Sequence, residues 1–396
     1  MTQQENTAIR PFRVNVAEEE ITELKRRINA TRWPEKETVS DQSQGVQLAT
    51  IQELARYWAN EYDWRKIEEK MNALPHFITE IDGLDFHFIH VRSKHENAMP
   101  LLIAHGWPGS IIEQMKLIEP LINPTEHGGS ESDAFHVVIP SMPGYGFSAK
   151  PTTTGWNPKR IASAYGELMT RLGYEKYVAQ GGDWGSIVVN AMGVQEPKGL
   201  LGIHTNMPEV IPPEVDAAIW SGNPLPSDLS DEEKEACEQV RENKFYYAFF
   251  MGTRPQTLTG LVDSPVGLAS FMIDHDYKSL ALISRSFAGV KEGLTSDDIL
   301  DNISLFWFTN SAISAARLYW ENGKAGDSFF AVKGVKLPVA VSVFPDEMYV
   351  APKSWSEKAY PNLIHYNKLP KGGHFAAWEQ PEFMTSEIRT GFKSLR

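Results

Sequence analysis

Tyr177-Val178-Ala179-Gln180-Gly181-Gly182-Asp183-Trp184-Gly185-Ser186-Ile187-Val188-Val189-Asn190 is the stretch on which the reading of this 396-residue chain turns. Tyr177 to Ala179 reads as a short strand, and the apolar run from Ile187 as a helix. Between them, small residues flank one position on both sides. Such a sequence allows a sharp strand-to-helix turn that holds a single side chain up at the edge of a sheet, where it can act as a nucleophile. Serine is the usual occupant; here it is Asp183. The plainer alternative is a glycine-rich turn whose aspartate caps a helix.

Working outward, short apolar runs alternate with helical stretches. Leu101 to Ala104, Phe135 to Ile139 and Leu200 to His204 read as further strands, each bounded by Gly or Pro. That alternation predicts a mostly parallel central sheet with helices on both faces. Upstream, Phe77 to Ile81, Asp82-Gly83 and Leu84 to Val91 read as a hairpin. Before Pro75 the chain reads as helical, with Ile21, Leu24 and Ile28 on one face and Ile51, Leu54 and Trp58 on another, and no strand is expected there. After Pro212 the pattern breaks into about 110 helical, aromatic-rich residues, then resumes with strands at Pro338 to Phe344 and Leu363 to Tyr366. The expected organisation is a helical extension with the first hairpin (1–95), a core in two parts (96–212 and 326–396) and a helical lid between them (213–325).

Two further segments complete a chemical pattern. His105-Gly106-Trp107-Pro108-Gly109-Ser110 follows the strand Leu101 to Ala104. A loop there supplies one N–H of an oxyanion hole and the residue after the nucleophile supplies the other, which nominates the amides of Trp107 and Trp184. Gly372-Gly373-His374-Phe375 places a histidine in a flexible loop near the C-terminus. Pro345-Asp346-Glu347-Met348 offers a carboxylate at the end of the preceding strand; either Asp346 or Glu347 can orient the imidazole. The order nucleophile, acid, histidine is that of an α/β-hydrolase fold.

An aspartate nucleophile restricts the reaction. Attack on an acyl group would give an unproductive anhydride, so its target is an sp³ carbon bearing a leaving group. The result is an ester of the enzyme, which histidine-activated water then hydrolyses. Epoxides and alkyl halides qualify. An epoxide needs a proton donor for its oxygen, commonly tyrosine; a halide needs N–H donors.

The net charge of −13 disfavours nucleic acid as a partner. One cysteine, Cys237 in the polar run Asp231 to Val240, excludes an intrachain disulfide and fits a cytoplasmic setting. The N-terminal MTQQENTAIRPF has no apolar core, so neither signal peptide nor membrane anchor is expected. Asp274-His275-Asp276 lacks further ligands at zinc-like spacing, and Gly144-Tyr145-Gly146 lacks the third glycine of a dinucleotide loop. No metal or cofactor is expected. The lid aromatics Phe245, Phe249, Phe250, Phe306 and Trp307 suggest an apolar pocket.

With these residues in view, the chain resembles the microsomal-type epoxide hydrolases, a group that includes soluble fungal and bacterial members and insect juvenile-hormone epoxide hydrolases. The resemblance rests on Arg32-Trp33-Pro34, the His105 to Ser110 loop, Met142 to Ser148, the Asp183 turn, Gly252 to Leu258 with Asp263-Ser264-Pro265, and Gly372 to Phe375. It implies two ring-opening tyrosines in the lid, Tyr247 (with adjacent Tyr246 as the other register) and Tyr319, and Glu347 as the triad acid. It also implies a small apolar epoxide and water as reactants, and it admits a homodimer without requiring one. Two other readings stay open: a haloalkane dehalogenase with the same nucleophile, favoured by the indole of Trp184, and a non-catalytic protein that binds a small molecule in the same fold.

Overall fold

The computed structural model describes residues 7–243 and 245–396. The first six residues of the segment expected to lack a signal peptide therefore lie outside the described residues. Nine strands form one sheet: β1 (Arg10–Phe12), β2 (His76–Ile81), β3 (Leu84–Val91), β4 (Met99–Ala104), β5 (Phe135–Pro140), β6 (Tyr177–Gly181), β7 (Leu200–Thr205), β8 (Val339–Val343) and β9 (Leu363–Lys368). Their order is β1-β2-β3-β5-β4-β6-β7-β8-β9. The pairs β1–β2, β2–β3 and β3–β5 are antiparallel. From β5 to β9 every pair is parallel. The parallel strands are buried on both faces, as in β6 and β8 where every residue is buried. Such strands read as continuous apolar runs rather than alternating ones.

One expectation fails. Arg10–Phe12 is a strand, paired at the edge of β2, in the segment read as helical throughout. Three residues, one of them proline and none of them buried, carry no readable period. Proline is tolerated there because an edge strand has one side that makes no ladder bonds.

Topology places the chemistry. β4 lies between β5 and β6, so successive connections leave toward opposite sides and open a crevice beyond the carboxyl ends of the strands. Ala104 ends β4 in register with Gly181 at the end of β6. The His105 loop and the Asp183 turn are therefore side by side. The turn is tight: a Cβ on Gly185 would lie 2.0 Å from the Ala104 carbonyl oxygen, far inside contact distance.

Helices between β7 and β8 cover this crevice, and among the described residues between β7 and β8 there is no strand. Polar contacts fasten them to the core. Asn302 Nδ2 donates to the Pro108 carbonyl at 2.7 Å, Ser314 Oγ to Gly144 O at 2.5 Å, and Lys278 Nζ to Pro345 O at 3.0 Å. The N-terminal helix Leu48–Asn60 grips the same layer. Trp58 Nε1 donates to Ser304 Oγ at 2.9 Å, and Tyr62, just beyond the helix, to Asp301 Oδ1 at 2.8 Å, both buried. A buried bond of this kind is worth about 1 kcal/mol when made and more when half of it is removed. The polar helix Asp231–Glu242 is amphipathic, with Cys237 on its buried face. No helix among the described residues is long and apolar enough to cross a membrane.

Gly185→Ala is expected to lower stability by about 1–3 kcal/mol through overpacking against β4. Thermal unfolding followed by circular dichroism measures this; an unchanged Tm would mean that the turn and β4 do not touch as described.

Candidate active site

Asp183 is held at φ 49° and ψ −129°, a conformation in the positive-φ region that side chains rarely adopt. The strain is imposed by strand β6 on one side and the helix Trp184–Gln195 on the other. Its carboxylate is buried, and the two oxygens have different surroundings. Oδ1 accepts the Trp107 backbone N–H at 2.7 Å. Oδ2 makes no hydrogen bond and lies 3.7 Å from His374 Nε2. Burial raises the Asp183 pKa, while the His374 and His275 rings and the backbone amides of Trp184 and Trp107 favour the charged form. Gly106 makes room for it, since a Cβ there would lie 2.2 Å from Asp183 Oδ1.

His374 sits in the loop after β9, beside the turn after β8, where Asp346 and Gly373 form an isolated parallel bridge. Its Nδ1 meets Glu347 Oε1 at 2.7 Å, both side chains 2% exposed. Glu347 Oε1 also accepts the Met348 N–H at 2.8 Å. Asp346 points away, its side chain 60% exposed and 3.8 Å from Lys278. The two adjacent carboxylates that the sequence left open thus face opposite ways. Burial alone would lower the His374 pKa. The charge and hydrogen bond of Glu347, then the charges of Asp183 and Asp276, outweigh it and raise the pKa to about 10. Glu379 clasps the loop from behind, accepting the Gly373 and Phe375 amides at 3.1 Å each. Nothing local in the sequence marks Glu379.

The inserted helices bring both tyrosines over Asp183. Tyr247 lies on the helix Tyr246–Thr253 and is buried, its ring stacked on Trp107 with centroids 5.0 Å apart. Tyr246 turns outward and donates to Asp274 O at 2.5 Å. Tyr319, on the helix Ala312–Ala325, meets Trp184 edge-on at 4.6 Å and Tyr247 at 6.1 Å. Its hydroxyl and the Trp184 Nε1 are buried with no partner beyond each other. Burial raises both tyrosine pKa values well above 10, with the Asp183 charge adding to it.

The expected aromatic wall is different in detail. Phe249 and Phe250 are exposed at 67% and 49%. Phe306 packs on Tyr145, Phe245 on Phe330, and Trp307 beneath Arg27. The rings against Tyr247 and Tyr319 are instead Trp107 and Trp184, backed by Phe271 and Phe329. Sequence spacing also missed His275. Its ring stacks on His374 with centroids 4.3 Å apart, and one ligating atom each of Asp183, His275 and His374 lies within 4.8 Å of the others. The search for ligands near His275 in sequence found none because these partners are about 90 and 100 residues away. A cation fits these atoms geometrically, between the Asp183 carboxylate and the two imidazole rings.

Similarity to known proteins agrees with this geometry. Residues 9–114 match the family model described as the epoxide hydrolase N terminus, and residues 99–266 the α/β hydrolase fold. A candidate epoxide hydrolase of Stigmatella aurantiaca is 49% identical over 98% of this chain and 86% of its own length. Epoxide hydrolase 1 of Oryctolagus cuniculus is 35% identical over 97% of this chain and 88% of its own. Among solved structures, the juvenile hormone epoxide hydrolase of Bombyx mori superimposes with a TM-score of 0.86 at 29% identity, covering 100% of this chain and 96% of that one. The Aspergillus niger epoxide hydrolase gives 0.82 at 29% identity, covering 99% and 98%. Near-complete alignment at this identity, over a mostly parallel sheet carrying an aspartate at the nucleophile turn, places the chain in the epoxide hydrolase family of the α/β-hydrolase fold.

Proposed function

We propose that the chain converts a small apolar epoxide to a vicinal diol through an ester on Asp183, without a cofactor. The observation that carries this reading is the division of labour between the two Asp183 oxygens. Oδ1 is engaged by the Trp107 amide, while Oδ2 is bare, buried and 3.7 Å from His374 Nε2. A carboxylate stripped of water is a stronger nucleophile than one in solution, because no hydration shell has to be displaced.

In the first step Oδ2 attacks an oxirane carbon, the ring C–O bond breaks, and Tyr247 and Tyr319 donate to the leaving oxygen. Oδ1 then becomes the ester carbonyl. The Trp107 amide already donates to it and the Trp184 amide also favours the Asp183 charge, so these two would form the oxyanion hole for the tetrahedral intermediate. In the second step His374 takes a proton from water, which attacks the ester carbon. Esterification removes the Asp183 charge, one of those that hold the His374 proton. The ring therefore gives up its proton more readily, and is available as a neutral base, only once there is an ester to hydrolyse. Glu347 fixes the ring and stabilises the imidazolium that forms.

The dehalogenase alternative draws on the buried Trp184 Nε1. Two buried tyrosines are superfluous for halide release, and the relatives named above are epoxide hydrolases. A non-catalytic role leaves the whole set of facing groups unexplained. The single cysteine supports a cytoplasmic setting for the reaction.

His374→Ala should spare ester formation and block hydrolysis, because an ionised carboxylate needs no general base to attack carbon. Incubation with a turned-over epoxide should leave an adduct of its full mass on the Asp183 peptide; a normal rate of diol release would reject His374 as the base. The hydrolytic half-reaction should rise with pH and level off below about 10, since only neutral His374 accepts the proton and the ester has lost one of its supporting charges. Glu347→Gln should move that limb to lower pH and slow hydrolysis, whereas Asp346→Asn should do neither in the same single-turnover measurement. Tyr247→Phe or Tyr319→Phe should slow ester formation by roughly 10²-fold or less, and the pair by more, given general-acid contributions of about 10²–10⁴. Stopped-flow quenching of Trp107 and Trp184 fluorescence reads this rate, and an unchanged rate removes that tyrosine from the step.

A further inference from the structure

Tyr247 has a partner of its own. Its hydroxyl lies 2.8 Å from His275 Nε2, and His275 Nδ1 lies 3.0 Å from Asp276 Oδ2. The side chains of His275 and Asp276 are 0% and 2% exposed. Asp276 is fixed in turn, because its Oδ1 accepts the Ser279 amide at the start of the helix Tyr277–Phe287. This Asp276–His275 pair stacks against the Glu347–His374 pair, so the pocket contains two carboxylate–imidazole units rather than one.

The geometry restricts how Tyr247 works. With Nδ1–H given to Asp276, the ring nitrogen facing the tyrosine is Nε2. If Nε2 carries no proton, it accepts the Tyr247 hydroxyl hydrogen, which then points away from any substrate. If Nε2 carries one, Tyr247 Oη accepts it and its own hydrogen is free to point into the pocket. A tyrosine surrounded by apolar rings and a nearby carboxylate is a weak acid, so a proton donor at its back matters.

We propose that His275, held by Asp276, is a proton relay behind Tyr247: its Nε2 proton passes to Tyr247 Oη as Tyr247 passes its own to the opening oxirane oxygen. The proposal rests on the ester mechanism above. The C–O bond to Asp183 forms, the oxirane C–O bond breaks, one hydroxyl appears on the substrate, Tyr247 ends neutral, and His275 ends neutral. His374 then replaces the proton. With Asp183 esterified its imidazolium is more acidic, and a ring nitrogen of His275 lies within 4.8 Å, a span that one water bridges. That transfer recharges His275 and leaves His374 as the neutral base that hydrolysis needs. Hydrolysis leaves Asp183 as a carboxylic acid, whose proton returns to His374 and closes the cycle. The His275 and His374 rings face the carboxylates of Asp276, Asp183 and Glu347, with Asp274 beside them on the chain. A cavity of about 430 Å³ lined by Gln44, Asn243, Asp274 and Tyr277 also reaches His275 and Asp276. His275 is in this sense a positioning residue that acts through Tyr247.

Pre-steady-state ester formation tests the relay. His275→Gln should slow it roughly tenfold or more, at the low end of general-acid effects. The loss should vanish in the Tyr247→Phe background and persist in the Tyr319→Phe background. The rate in mixtures of H₂O and D₂O should curve in the wild type, with two protons in flight, and become linear in the variant. Asp276→Asn keeps the helix cap, so it serves if His275→Gln does not fold; it should slow ester formation, and again only where Tyr247 is present. Wild-type rates in His275→Gln, or an equal loss with and without Tyr247, would overturn the relay. Absence of any Asp183 adduct in the wild type would instead overturn the ester mechanism beneath it, and the mass measurement tells the two apart.

Discussion

Burying a charged carboxylate is the constraint around which the rest of the molecule is arranged. Removing an ion of this size from water costs several kcal/mol even after the protein relaxes. Asp183 is offset from three directions: the Trp107 and Trp184 amides, the N-terminal end of the helix Trp184–Gln195, and the His374 ring. Each of these demands something more. The amides require two loops in contact, which the β4–β6 register supplies. The ring requires Glu347 in front and Glu379 behind its loop. Glu347 is buried as well and Glu379 partly so, and the cost of one charge spreads into a network whose members stabilise one another.

That network also explains the covering helices. Low dielectric strengthens every interaction around Asp183 only while water is kept out. The inserted helices do this and carry the tyrosines in the same act. Their attachments converge on the reacting loops: Asn302 on Pro108, Ser314 on Gly144, Lys278 on Pro345. The N-terminal helix that holds Ser304 through Trp58 is therefore part of the site at one remove. Its distance from Asp183 in sequence gives no hint of this.

Much of the fold was legible because its signals are local. A strand, two glycines, an aspartate and a helix lie within fourteen residues, and the period of each flanking element can be read directly. Ambiguity began where two adjacent residues offered the same chemistry. Asp346 and Glu347, like Tyr246 and Tyr247, point in different directions, and only the packing of distant elements decides which one turns inward. The strand Arg10–Phe12 was invisible because an exposed three-residue edge has no hydrophobic period. His275 was invisible for another reason. Its neighbour Asp276 reads as an ordinary helix cap, and its meaning comes from His374, about 100 residues later, and from Tyr247 on a helix 28 residues earlier.

The unequal surroundings of the two Asp183 oxygens have a consequence for the enzyme's own atoms. On the proposed mechanism, when water attacks the ester carbon and the alcohol leaves, the oxygen that bonded to substrate departs with the diol and a solvent oxygen takes its place. The oxygen held by the Trp107 amide takes no part in this exchange. A molecule of this protein thus keeps one oxygen of Asp183 from its synthesis onward and renews the other at every cycle. Only rotation of the carboxylate, which breaks the bond to Trp107, mixes the two. The isotopic composition of a single side chain becomes a record of how long that one hydrogen bond stays closed.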